Sequence, residues 1–333
     1  MTETLPGAAP DRSAPAAPPG PPRTEEPAAA PGPPRTEELA PGVYAYIQPD
    51  GGWCVSNSGV LIGDDGVTVV DTTATEDRAR ALRAAVGALT PAPVRLVVNT
   101  HFHGDHTFGN AVVGDGRAAV VAHERLRDEA AAAGLGLTGL WPGVHWGDVS
   151  VTLPHLTYRD RLTLHLGEGR EAELFHPGPA HTTNDTLVWL ARERVLFAGD
   201  VVMPGCTPFV LMGSIEGSLR TLDRIGELAP RVIVGGHGPV SGPEVLRETA
   251  EYLRRVRRIA EQGRARGLTP LQTAREHGPG PFGHWQDPER LVGNLHRAYA
   301  ELAGEPLGSP LDVVGIFGEL VEFNGGVLPT CYA

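Results

Sequence analysis

The chain has 333 residues, enough for one large domain, or a domain with an appendage, around a substantial buried core. Its formal net charge of −12 argues against general nucleic-acid binding, which needs a basic footprint to displace counterions from phosphates. No apolar run approaches the ~18 residues of a membrane span, and Met1-Thr2-Glu3-Thr4-Leu5 lacks a signal peptide's basic and apolar regions, so a cytoplasmic protein without membrane contact is expected. Cys54, Cys206 and Cys331, an odd number at wide spacing, point to reduced thiols rather than a disulfide framework.

Residues 1–40 are dominated by Pro, Ala and Gly and read as a disordered tail, because they cannot bury enough surface to offset the entropy of ordering. Within them Gly20-Pro21-Pro22-Arg23-Thr24-Glu25-Glu26 recurs at Gly32 to Glu38, most simply as a slipped repeat. From Val43 strands alternate with helices. Gly59 to Ile62, an Asp65-Gly66 turn and Val67 to Val70 predict a hairpin. Thr75 to Leu89 predicts a helix, with Glu76 and Asp77 in its first turn and Pro91 beyond its end.

The apolar stretch Val94 to Asn99 reads as a buried strand, and His101-Phe102-His103-Gly104-Asp105-His106 follows it directly. A lone histidine is more often structural than a ligand, but four candidate ligands in one turn favour metal chemistry. Their spacing cannot be a helix-borne H-x-x-x-H pair, so the side chains should splay from a tight loop, with Gly104 allowing the bend; such a loop can serve two metals. Further strands are expected at 119–121, 161–166, 172–175, 186–190, 195–197 and 232–234, with a helical stripe at Leu219, Leu222, Ile225 and Leu228. His181, Asp200 and His237 stand in loops among them. After Gly242 the chain reads as helical, and Thr269-Pro270, Asp287-Pro288 and Ser309-Pro310 each look like a cap followed by a first-turn proline.

Asp71, the 101–106 run, His181, Asp200 and His237 together resemble the five motifs of the metallo-β-lactamase fold superfamily. The resemblance implies an α/β fold, a four-layer αββα sandwich over residues 41–243, with residues 244–333 as a C-terminal helical extension like that of glyoxalase II-type enzymes. It implies two metals per chain: one held by His101, His103 and His181, a second by Asp105, His106 and His237, with Asp200 bridging. Zinc suits this donor set best, and iron or manganese is compatible. Asp105 and Asp200 are the implied catalytic carboxylates, and Asp71 is expected to order the metal loop by hydrogen bonding.

Gly51 to Asn57, Leu140-Trp141-Pro142, Gly199 to Met203, Leu291 to Ala298 and Asn324 to Cys331 are further similar to the thioesterase/cyclases of bacterial type II aromatic polyketide pathways. That similarity implies closure of a second ring on a carrier-bound poly-β-ketone and release by thioester hydrolysis. An acyl carrier protein is the implied partner, and a homodimer is compatible. A second possibility is a general hydrolase of small thioesters or lactones. The true β-lactamases lack a bridging carboxylate at the position of Asp200, which favours esters and thioesters here. Trp53, Asn57, Leu140, Trp141 and Trp146 are the candidate substrate contacts, since ligand pockets are mostly apolar. Arg254, Arg255, Arg257, Arg258, Arg264 and Arg266 crowd one predicted helix. Such a run is usually a solvated face, but it would also suit an acidic carrier on an otherwise acidic protein.

Overall fold

The computed structural model describes Met1, residues 32–49 and residues 51–333. Most of the expected tail, including the first copy of the repeat, lies outside the described residues. Residues 31–333 form one compact unit.

Seven strands make the first sheet in chain order: β1 (Arg35–Ala40), β2 (Val43–Ile47), β3 (Ser58–Gly63), β4 (Gly66–Val70), β5 (Val94–Val98), β6 (Ala119–His123) and β7 (Leu156–Tyr158). Pairing is antiparallel up to β4 and parallel from β4 to β7. The parallel half therefore sends the carboxyl ends of β4, β5 and β6 to a single edge, where open α/β sheets place their sites. The second sheet holds β8 (Arg161–Gly167), β9 (Arg170–Phe175), β10 (Leu187–Leu190), β11 (Val195–Gly199) and β12 (Val232–Gly235), antiparallel except for β11 with β12.

Apolar side chains on facing strands explain why the sheets stack. Ile47, Leu61, Val70, Val98 and Val121 of the first sheet pack on Leu174, Val188, Leu190, Phe197 and Val234 of the second. The outer face of the first sheet, at Val60, Val67 and Val69, is covered by Leu82 and Val86 of α1 (Glu76–Leu89), which Thr75 caps through the Arg78 N–H. Short helices α2 (Gly104–Thr107), α3 (Asn110–Val113), α4 (Glu124–Ala133) and α5 (Gly136–Leu140) connect β5 to β7. The second sheet's outer face meets α6 (Ile215–Leu228), α7 (Glu244–Ala265), α8 (Pro270–His277), α9 (Arg290–Leu302) and α10 (Val313–Phe323) through one cluster running from Trp189 and Leu196 to Leu253, Leu291 and Leu320. The result is helix, sheet, sheet, helix. The last four helices share the largest core with the sheet rather than forming a core of their own.

Three expectations need correction. β1 lies inside the segment expected to be disordered: its backbone completes the ladder with β2, and Leu39 and Ala40 lean on the core between the sheets. Only one of the three cap-proline signatures starts a helix. Thr269 and Gln272 form a reciprocal capping box, but α9 begins at Arg290, after a turn in which Asp287 takes a left-handed φ of 56°. Ser309 is engaged by the Arg297 guanidinium, so α10 is capped instead by Asp312, which accepts from the Gly315 N–H at 3.0 Å. The 101–106 run is also not wholly a loop, because Gly104 to Thr107 form one helical turn. Gly104 has an ordinary φ; it is needed because the Phe108 ring lies where a Cβ would project.

Candidate metal centre

Four loops at one edge of the sandwich bring the predicted ligands into two adjoining groups, His101, His103, His181 and Asp200, and Asp105, His106 and His237. Within each group the ligand atoms lie within 4.8 Å of one another. Six of the seven are buried; His103 is partly so.

Asp71, at the end of β4 in a left-handed conformation (φ 58°), organises the loop after β5. Its carboxylate accepts from the Thr100 N–H at 2.7 Å, the Thr100 hydroxyl at 2.6 Å and the His106 ring Nδ1 at 2.9 Å. These bonds fix tautomers. With its hydrogen given to Asp71, the Thr100 hydroxyl accepts from His101 Nδ1 at 3.0 Å, leaving His101 Nε2 a bare lone pair. The Phe209 carbonyl does the same for His181 by accepting from its Nδ1. His101 Nε2 and His181 Nε2 then stand 3.1 and 2.9 Å from His103 Nδ1. Three imidazole nitrogens with at most one shared hydrogen converge there, and a cation accepting all three lone pairs is what such an arrangement fits.

The Asp200 carboxylate lies between the groups. Its Oδ2 is 3.4 Å from His181 Nε2 and 3.3 Å from His237 Nε2, and its Oδ1 is 3.2 Å from His106 Nε2. Asp105 Oδ2 is 3.3 Å from His237 Nε2 and 3.6 Å from His106 Nε2. His106 Nε2 and Asp200 Oδ1 are buried and lack a hydrogen-bond partner, as inward-facing ligand atoms would be. Asp200 approaches so closely because Gly236 has no side chain: a Cβ there would overlap Asp200 Oδ1. The residues present thus fit two divalent ions.

Electrostatics separate the groups. Burial holds His101 well below its usual pKa and brings His103 to about 3 and His181 to about 4, so all three are neutral donors. Burial also opposes charge on His106 and His237, but Asp200 and Asp105 outweigh it, raising His106 well above its usual value and His237 to about 9. Despite burial, His106 and His237 in turn hold Asp105 and Asp200 well below the carboxylate range.

An apolar pocket opens on this centre. Trp53, Leu137, Leu140, Trp141, Phe209, Leu211, Val313, Phe317 and Leu320 line it beside His103, Asp105, His181, Asp200 and His237. The expected contacts divide. Trp53, Leu140 and Trp141 line the pocket. Asn57 does not: its amide donates to the carbonyls of Gly235 and Gly238 at 3.1 and 2.7 Å, fastening the loop that carries His237. Trp146 packs behind the wall, its Nε1 donating to the Trp141 carbonyl at 3.3 Å.

The sequence reading missed Arg290, Phe317 and Leu320, which reach the pocket from the C-terminal helices, and Asp185. The Asp185 carboxylate accepts from the Ala180 and Thr182 N–H groups at 3.1 and 3.0 Å and from the Thr182 hydroxyl at 2.7 Å, shaping the loop around His181. The Thr182-Thr183-Asn184-Asp185 run after the ligand was its only signal. Arg290, buried, stacks 4.3 Å over the Trp53 ring and pairs with Asp287 at 2.7 Å.

Comparisons with known proteins agree with this geometry. A family model described as the metallo-beta-lactamase superfamily matches residues 51–237. The chain is 32% identical over 150 residues to the 2,4-dinitroanisole O-demethylase subunit alpha of Nocardioides sp. (strain JS1661), covering 44% of this chain and 40% of that one. It is 26% identical over 250 residues to the linear primary-alkylsulfatase of Pseudomonas sp. (strain ATCC 19151), covering 62% and 47%. It is 24% identical over 226 residues to the metallo-beta-lactamase type 2 of Bacteroides fragilis, covering 65% and 83%. The chain thus matches less than half the length of the first two. Among solved structures, the metallo-beta-lactamase from Pontibacter korlensis superposes with a TM-score of 0.55 at 19% identity, over 66% of this chain and 99% of that one, a likeness in fold.

Proposed function

The chain belongs to the metallo-β-lactamase superfamily, whose members are metal-dependent hydrolases, and on that footing we propose that it is a di-zinc thioesterase/cyclase acting on an aromatic polyketide carried by an acyl carrier protein. The observation that carries the reading is the Asp200 carboxylate, set between two ligand groups at the floor of an apolar, aromatic-walled pocket. Two divalent ions held there supply Lewis acidity toward a carbonyl and a nucleophile available near neutral pH.

The protein's own residues do the rest. Trp53, Trp141 and Phe317 form a tilted and edge-on aromatic cluster, with centroids 5.2 to 6.1 Å apart, suited to a flat polycyclic body. Leu140, Leu211 and Leu320 complete a wall that excludes water from the reacting thioester. Asp105 and Asp200 are the two carboxylates that face the pocket, where they would accept hydrogen bonds from the nucleophile and orient it. Ring closure and release both begin at a carbonyl, so one site can serve both.

Carrier docking belongs to the exposed face of α7. Arg257 is paired with Glu216 and Arg255 donates to the His277 and Gly278 carbonyls, while Arg254 and Arg258 line, with Glu251 and Phe282, a shallow groove whose two remaining guanidinium groups suit an acidic partner. An Arg254→Glu/Arg258→Glu variant should slow turnover of the carrier-bound substrate alone; equal turnover by variant and parent would remove this docking face.

The test is the intact mass of an acyl carrier protein bearing a bicyclic polyketide thioester, before and after incubation with the metal-loaded enzyme. Loss of the whole acyl group is expected. An acyl group retained after losing one water would indicate cyclisation without release, and full activity only on small free thioesters would favour a general hydrolase. Asp200→Ala should lose cyclisation and release together; loss of hydrolysis alone would contradict a shared site.

A further inference from the structure

The chain's last residues return to the pocket wall. Trp141 Nε1 donates to the Pro329 carbonyl at 2.8 Å, the Arg78 guanidinium donates to the Tyr332 carbonyl, and Cys331 forms an isolated parallel bridge with Trp53. That bridge sets Cys331 beside Cys54, close enough for each thiol to bear on the ionisation of the other. Cys54 is buried on the pocket wall, whereas Cys331 is partly exposed. The pairing joins residues 277 positions apart, which spacing along the chain could not reveal. Cys206 stands elsewhere, its thiol donating to the Gly51 carbonyl at 3.1 Å.

We propose that Cys54 and Cys331 form an oxidisable pair, in which a peroxide attacks the accessible Cys331 and Cys54 resolves the product to a disulfide that fastens the C-terminal segment to the pocket wall. The chemistry balances. Cys331 sulfur attacks the peroxide O–O bond, giving a sulfenic acid and one water from hydrogen peroxide. Cys54 sulfur then attacks the sulfenic sulfur, and the hydroxyl leaves as a second water with the Cys54 proton. Two thiols lose two electrons and two hydrogens, and the peroxide is reduced. The asymmetry of exposure sets the order, because only Cys331 is open to the oxidant while Cys54 waits behind it. The contact with Cys54 also holds the Cys331 thiol below its usual pKa, which favours Cys331 as the attacking group.

The experiment needs no substrate. Full-length, metal-loaded protein is treated with a slight excess of hydrogen peroxide, alkylated under denaturing conditions and weighed intact, then digested with trypsin. The sequence has no lysine, so cleavage falls at arginine only. The expected product is two hydrogens lighter, with peptide Thr36–Arg78 joined to Ala298–Ala333 and both halves released by a thiol reductant. Cys206→Ser should retain the cross-link and Cys331→Ser should lose it. Oxidation of Cys331 to the sulfinic acid with Cys54 still alkylated, or a cross-link to the Cys206 peptide Val195–Arg220, would overturn the proposal. The map of the unsubstituted protein decides even if a variant fails to fold.

Discussion

Gly236 permits the feature on which the centre depends, the close approach of Asp200 to both ligand groups. Gly236→Ala should push the Asp200 carboxylate out of line and lower bound metal while leaving far-ultraviolet circular dichroism unchanged; undiminished metal content would show that the approach is not needed. Asp71 acts one step further out, through Thr100 and His106. Asp71→Ala should weaken metal retention by roughly 10–100-fold in a chelator competition, the usual effect of removing an outer partner of ligand imidazoles. The ligands themselves were legible because four of them crowd into six positions and the rest sit in glycine-rich loops. Asp185 and the Phe209 carbonyl were not, since a hydrogen bond to the backbone beside a ligand, or to the ligand's far side, depends on loop geometry that spacing does not encode. Asn57 and Trp146 show the converse: their motif and aromatic context suggested the pocket, but long-range hydrogen bonds engage them elsewhere.

The β3–β4 hairpin and α1 followed directly from local pattern, whereas the helical turn Gly104–Thr107 that carries Asp105 and His106 did not. Two short apolar runs flanking the Asp65-Gly66 turn gave the β3–β4 hairpin, and Thr75 with two acids gave α1. β1 escaped because Leu39 is its only large apolar residue, and its pairing with β2 supplies what its composition lacks. Between the sheets, His123 at the end of β6 stacks on His176 after β9, with centroids 3.9 Å apart and planes 20° from parallel. Burial, then the neighbouring His176 and Arg125, lower His123 to about 4, and burial lowers His176. Glu124 and the Arg159 backbone carbonyl, which favours the protonated ring, only partly oppose this. Between the ordinary histidine value near 6.5 and about 4, the unfolded chain binds a proton that folded His123 refuses. Stability therefore rises with pH across that window and is lost as pH falls through it. His123→Gln should flatten the dependence of the thermal midpoint between those limits relative to the parent; equal slopes would refute the assignment.

The molecule is a four-layer sandwich whose outer helical layer is integral to it. Tyr252, Leu253, Val256, Leu291, Leu295 and Leu320 share one cluster with Trp189 and Leu196 of the second sheet, and Phe317 and Leu320 also reach the pocket. A chain ending at Gly242 should therefore lose near-ultraviolet circular dichroism and expose the apolar face of the sheet to dye; a cooperative unfolding transition in that fragment would show an independent domain. Leu295→Ala should cost about 2–5 kcal/mol in chemical denaturation, as for a fully buried leucine. The helical character of this region was visible in the sequence, but its sharing of the sheet's core was not, because the residues that meet lie far apart along the chain. Metal count by native mass spectrometry decides whether the centre holds two ions. Two divalent ions per parent chain are expected, at most one in Asp200→Ala, with loss of thioester release when the second ion is lost. A parent that saturates at one ion, or an Asp200→Ala variant that keeps two ions and full release, would contradict this expectation.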